Sequence, residues 1–76
     1  MRLSDVKVGG KVKVVNVGVK NILIKRHLLE MGLTKDTTIK VVRKSPMGDP
    51  ICIELRGYEL AIRLADAEQI IVGAIR

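Results

Sequence analysis

Aromatic residues are almost missing from this chain. It has no Trp, no Phe and a single Tyr. Its core must therefore be aliphatic, and any mode of recognition that needs a row of stacking rings is excluded. There is one cysteine, Cys52, so no internal disulfide can form, and this fits a reducing, cytoplasmic setting. One cysteine and one histidine, His27, cannot complete a four-ligand zinc site. No apolar run approaches the roughly 18–20 residues that cross a bilayer. The N-terminus turns polar by Asp5, unlike a signal peptide. Catalytic machinery would have to be assembled from His27, Cys52 and eight scattered acids on a scaffold with little room for a pocket, so the chain does not read as an enzyme.

What is present is a β-branched, aliphatic sequence of 76 residues, enough for one domain spanning 1–76 and not for two cores. Fourteen basic residues against eight acidic give a net charge of +6, which suits either plain solubility or an acidic partner.

Lys11 to Val17 alternates as a half-buried strand does, except at Val14-Val15, where two adjacent apolar residues predict a bulge. Asn21 is placed to cap a helix over Ile22–Met31 that stops at Gly32. On that helix Ile24, Leu28 and Met31 share one face, with Leu29 and Ile22 beside them and Arg26, His27 and Glu30 opposite. Leu23 projects from the polar side. Either helix fraying or a local kink tucks it in, or it is an exposed contact for a partner. Thr37–Lys44, Ile51–Leu55, Tyr58–Ile62 and Ile70–Val72 read as further strands, with a tight hairpin at Arg56-Gly57 and one helical turn between Leu64 and Gln69. The expected fold is mainly β with one or two short helices: a small barrel of about five strands with its helix over one open end. Between Lys44 and Ile51 runs Ser45-Pro46-Met47-Gly48-Asp49-Pro50, which is either a rigid connector or a pre-shaped contact loop presenting Met47.

Taken in order, several segments resemble FeoA proteins. They are Leu28-Leu29-Glu30-Met31-Gly32-Leu33, Thr38–Arg43, the Ser45–Pro50 loop, Ile51–Gly57, Leu60–Arg63, Asp66-Ala67-Glu68 and Ile70–Val72. The opening Leu3 and Val8-Gly9-Gly10 are similar too. The resemblance implies a free-standing, cytoplasmic SH3-like barrel. It implies a non-enzymatic accessory role in ferrous iron uptake, through contact with the cytoplasmic part of FeoB, a permease carrying a G-protein domain. Such a protein is not membrane-inserted and reaches the inner face of the membrane only through its partner.

A partner surface would draw on Leu23, Arg26 and His27 of the helix, Met47 and Asp49 of the loop, and Arg56 of the hairpin, combining adaptable apolar contact with bidentate charge recognition. Two alternatives come from other classes. His27 and Glu30, at i and i+3, would hold Fe(II) or another divalent transition metal only weakly, since two side chains leave most of the coordination sphere to water. Cys52 has no neighbour that would activate a thiol. A basic barrel would contact nucleic-acid phosphates through Lys11, Lys13, Lys20, Lys25, Arg26, Lys40, Arg43 and Lys44, but without stacking such binding is salt-labile, and no specific nucleic acid is expected.

Overall fold

Every strand expected from the alternation forms. The computed structural model of the chain describes residues 1–75. In it β1 spans Lys11–Val17, β2 Thr38–Lys44, β3 Ile51–Leu55, β4 Tyr58–Ile62 and β5 Ile70–Gly73. They make one antiparallel sheet in the order β4-β3-β2-β1-β5. The inward residues, among them Val12, Val14, Ile39, Val41, Ile51, Ile53, Ile62, Ile70 and Val72, enclose a single aliphatic core. Each such side chain stabilises the fold by about 1.5–3 kcal/mol on burial, which explains how a chain without aromatic packing holds together.

The bulge sits where the Val14-Val15 doublet predicts it, as a register shift between Val14 and Asn16 against β5. A second shift, between Val41 and Arg43 against β3, falls at another adjacent apolar pair, Val41-Val42. Both let the sheet curl around the core. A helical turn at Leu3–Asp5, not expected from the sequence, drops the fully buried Leu3 into that core.

The first helix, α1, spans Ile22–Glu30, with Met31 as its C-cap. The Asn21 Oδ1 accepts hydrogen bonds from the amides of Leu23 and Ile24, at 3.0 and 3.3 Å. At the other end the Leu33 amide donates to the Leu28 carbonyl and the Gly32 amide to the Leu29 carbonyl, both at 3.0 Å. This is a Schellman closure, and Leu28 and Leu33, the apolar pair that accompanies it, are both buried. Gly32 takes φ +97°, which side chains disfavour.

The helix face expected to be buried is narrower than its apolar pattern. Leu28 alone is buried; Ile24 and Met31 are half-buried, and Ile22 and Leu29 stay exposed. The second helix, α2, is a single turn over Leu64–Ala67.

Candidate functional site

The β3–β4 hairpin turns at Arg56 and Gly57, with φ +49° and +85°. Positive φ at both central residues is the type I′ geometry that matches strand twist. Glycine accounts for one of these values; the arginine's was not legible in the sequence. The turn brings Arg56 to the end of α1. A Cβ added at Gly32 would lie 3.3 Å from both Cδ and Nε of Arg56 and 3.5 Å from the Tyr58 hydroxyl. The guanidinium thus lies beside the C-terminal end of a helix, where a positive charge is favoured.

Along α1 the exposed side is unusually apolar. Leu23 is 69 % exposed and Ile22 62 %. No kink or fraying tucks Leu23 in, because Asn21 caps this turn. Arg26 and His27 are exposed beside it.

The Pro-rich loop reverses through Gly48, at φ +78°, whose amide donates to the Ser45 carbonyl at 2.7 Å. Met47 at its tip is 89 % exposed. Asp49 has an internal task that the sequence did not reveal. Its Oδ1 accepts from the Leu64 amide at 3.0 Å. The preceding residue, Arg63, provides no side-chain cap, so Asp49 satisfies the first turn of α2 from the neighbouring loop.

Arg63 instead donates through Nε to Asp66 Oδ2 at 3.2 Å, and Asp66 is buried. These groups border a groove of 370 Å³ lined by Ile24, His27 and Leu28 of α1, by Ala61, Ile62 and Arg63 at the end of β4, and by Asp66. The structure therefore brings His27 to a groove whose wall continues through Arg63 to the segment held by Asp49. It places Arg56 at the far end of the same helix. Met47 stands apart at its loop tip. The groove-lining residues Ala61 and Arg63 were missed from the sequence, where only the edge position of the last hairpin strand could have signalled them.

His27 and Glu30 are both exposed on α1, and no group of three or more His, Cys, Asp or Glu side chains gathers as a metal centre would require among the described residues. Cys52 is half-buried on the outer sheet face opposite Arg43. The basic residues do not form one open phosphate track. Arg43 donates to Glu59 at 2.7 Å, which raises the guanidinium pKa further. Lys44 donates to the Ser4 carbonyl at 3.3 Å, and Lys40 faces Glu54 across the ladder. Among the described residues no helix is long and apolar enough to cross a membrane.

Fold and surface together define a small SH3-like barrel that presents an apolar helix and an open groove. The chain belongs to the FeoA family: the FeoA domain model matches residues 1–74. It is 36 % identical over 75 residues to an Fe(2+) transport protein A/Fe(2+) transporter FeoB fusion protein of Porphyromonas gingivalis, covering 99 % of this chain and 9 % of that protein. The chain thus spans about 9 % of the length of the curated relative it matches. The solution structure of FeoA protein from Chlorobium tepidum superimposes with a TM-score of 0.92 at 34 % identity, covering 100 % of this chain and 71 % of that one. FeoA of Stenotrophomonas maltophilia, solved with zinc and described as a procaryotic SH3 domain protein, gives a TM-score of 0.82 at 28 % identity, over 95 % of this chain and 88 % of that one.

Proposed function

We propose that this domain is a non-enzymatic accessory of ferrous iron uptake that docks on the cytoplasmic part of a FeoB-like transporter and biases its conformational equilibrium. The observation that carries this reading is the relative in which a segment 36 % identical to this chain is joined to a FeoB transporter in one polypeptide. Covalent fusion keeps two parts at high effective concentration, which is useful when they act on each other. The exposed Ile22 and Leu23 beside Arg26 and His27 supply an apolar contact with a charged margin. Iron is then the transporter's cargo, and the domain acts at the inner membrane face through its partner.

To change transport the domain must bind one transporter state better than another, since equal affinity shifts no equilibrium. Ferrous iron uptake should change in cells from which this chain has been removed. The intact chain should restore it, and Leu23→Ala should restore it poorly. Uptake indifferent to the presence of the chain would contradict the reading.

A further inference from the structure

The two edges of the sheet are treated differently. Beside β5 the N-terminus closes the edge: Arg2 bridges to Ile71, and the Val72 amide donates to the Met1 carbonyl at 2.8 Å. The outer edge of β4 has no such cover. The register Leu55↔Tyr58, Ile53↔Leu60, Ile51↔Ile62 follows a two-residue turn, so these are the hydrogen-bonded pairs. Glu59 and Ala61 lie between them and turn their amides and carbonyls away from β3. Among the described residues those backbone groups have no partner.

The groove described above opens at the C-terminal end of this edge. It is lined by both Ala61 and Ile62. Consecutive strand residues project to opposite faces, so a groove that touches both lies at the edge and not on one face. Its other wall is α1, with Ile24 and Leu28. An unpaired strand edge facing an apolar helix wall across a gap is the arrangement that accepts an added strand.

We propose that the β4 edge and α1 together form a strand-addition site for an extended, acidic segment of a partner protein. The backbone of that segment pairs with Glu59 and Ala61, and one of its apolar side chains rests on the half-buried Ile24. The acidic character follows from charge. The acids near the edge are already answered, Glu59 by Arg43 and Asp66 by Arg63. Lys25, next to Ile24 on α1, forms no salt bridge among the described residues, and the chain carries +6 overall. The same net charge disfavours a second copy as the occupant. This inference rests on the docking reading for the identity of the partner, but the site can be tested without the transporter.

The probe is the synthetic peptide acetyl-Glu-Val-Glu-Val-Glu-Val-amide, titrated to millimolar concentration into the whole chain at physiological salt and followed by amide and methyl NMR. The controls are the same peptide with N-methylated valines and the variant Ala61→Pro, whose lost amide serves no ladder bond and whose fold is checked by its own spectrum. A second variant, Ile24→Ala, keeps the backbone edge but shortens the apolar helix wall.

We expect shifts centred on Glu59, Ala61, Arg63, Ile24 and Leu28, with hydrogen exchange at Glu59 and Ala61 slowed about ten-fold or more near saturation. The N-methylated peptide and Ala61→Pro should abolish them, and Ile24→Ala should weaken the affinity several-fold. Absence of shifts overturns the proposal. So do shifts spread over the lysines of β1 and β2 that vanish with added salt. Concentration-dependent shifts at Glu59 and Ala61 without peptide, with dimer in sedimentation, would assign the edge to a second copy and overturn it as well. Failure here would leave transporter docking standing on another face. Peptide binding combined with iron uptake indifferent to this chain would remove the docking reading alone.

Discussion

Asp49 Oδ1 accepts a hydrogen bond from the amide of Leu64 at 3.0 Å, and this single contact ties the Pro-rich loop to the turn of helix that ends the groove. Removing the acceptor leaves a helix-start amide without a partner in the protein. Asp49→Ala should lower stability by about 0.5–2 kcal/mol, as loss of a helix cap does, whereas Asp49→Asn should keep most of it. Thermal unfolding of the two variants separates this role from direct partner contact. If both variants unfold as the parent does and only binding falls, Asp49 acts on the partner and not on α2.

Leu23 and Leu28 offer a matched pair on one helix. Leu28 is buried at 4 % exposure, and Leu23 is 69 % exposed. Leu28→Ala should cost about 2–5 kcal/mol through lost burial and the cavity it leaves. Leu23→Ala should change stability by less than about 0.5 kcal/mol, as surface substitutions do. Denaturant titration measures both. A large loss at Leu23 would mean that it packs in solution.

Gly32 stands at φ +97° against the Arg56 side chain. Gly32→Ala should destabilise by about 1 kcal/mol or more, through the left-handed backbone and the 3.3 Å approach to Arg56. Combining it with Arg56→Ala should recover part of that loss, because the crowding partner is gone. Additive losses in the double variant would place the whole cost in the backbone.

Asn21 caps α1 through two amides, and the helix carries little buried surface of its own. Asn21→Ala should cost about 1 kcal/mol, and Asn21→Asp or Asn21→Ser should be close to neutral. Amide exchange in the first turn, at Leu23 and Ile24, should accelerate in the alanine variant. Unchanged exchange there would show that packing of Ile24 and Leu28 holds the helix without its cap.

Much of this architecture could be read from residue order, for physical reasons. Strict alternation at Ile51–Leu55 leaves one way to bury Ile51, Ile53 and Leu55, and the structure takes it. The Val14-Val15 doublet signals a bulge because two adjacent apolar residues cannot both face inward on a regular strand. Asn21 and Gly32 mark helix ends by local chemistry alone. Other features depend on what the chain meets in space. The apolar content of α1 promises a wide buried face, but only Leu28 is fully buried. Asp49 looks like a free loop acid until folding places Leu64 beside it. The groove needs α1 and β4, distant in sequence, to be set side by side. No local pattern at Ala61 or Arg63 encodes that arrangement.

The central claim is that this domain docks on a transporter's cytoplasmic region. Its most direct test is a calorimetric titration of the chain into the cytoplasmic G-protein region of the FeoB-like transporter from the same organism, at physiological salt, with that region bound to a GTP analogue and then to GDP. The account predicts saturable binding that differs between the two nucleotide states and weakens with Leu23→Ala. No heat and no complex at concentrations of about 100 μM, where even weak regulatory contacts populate, would contradict it.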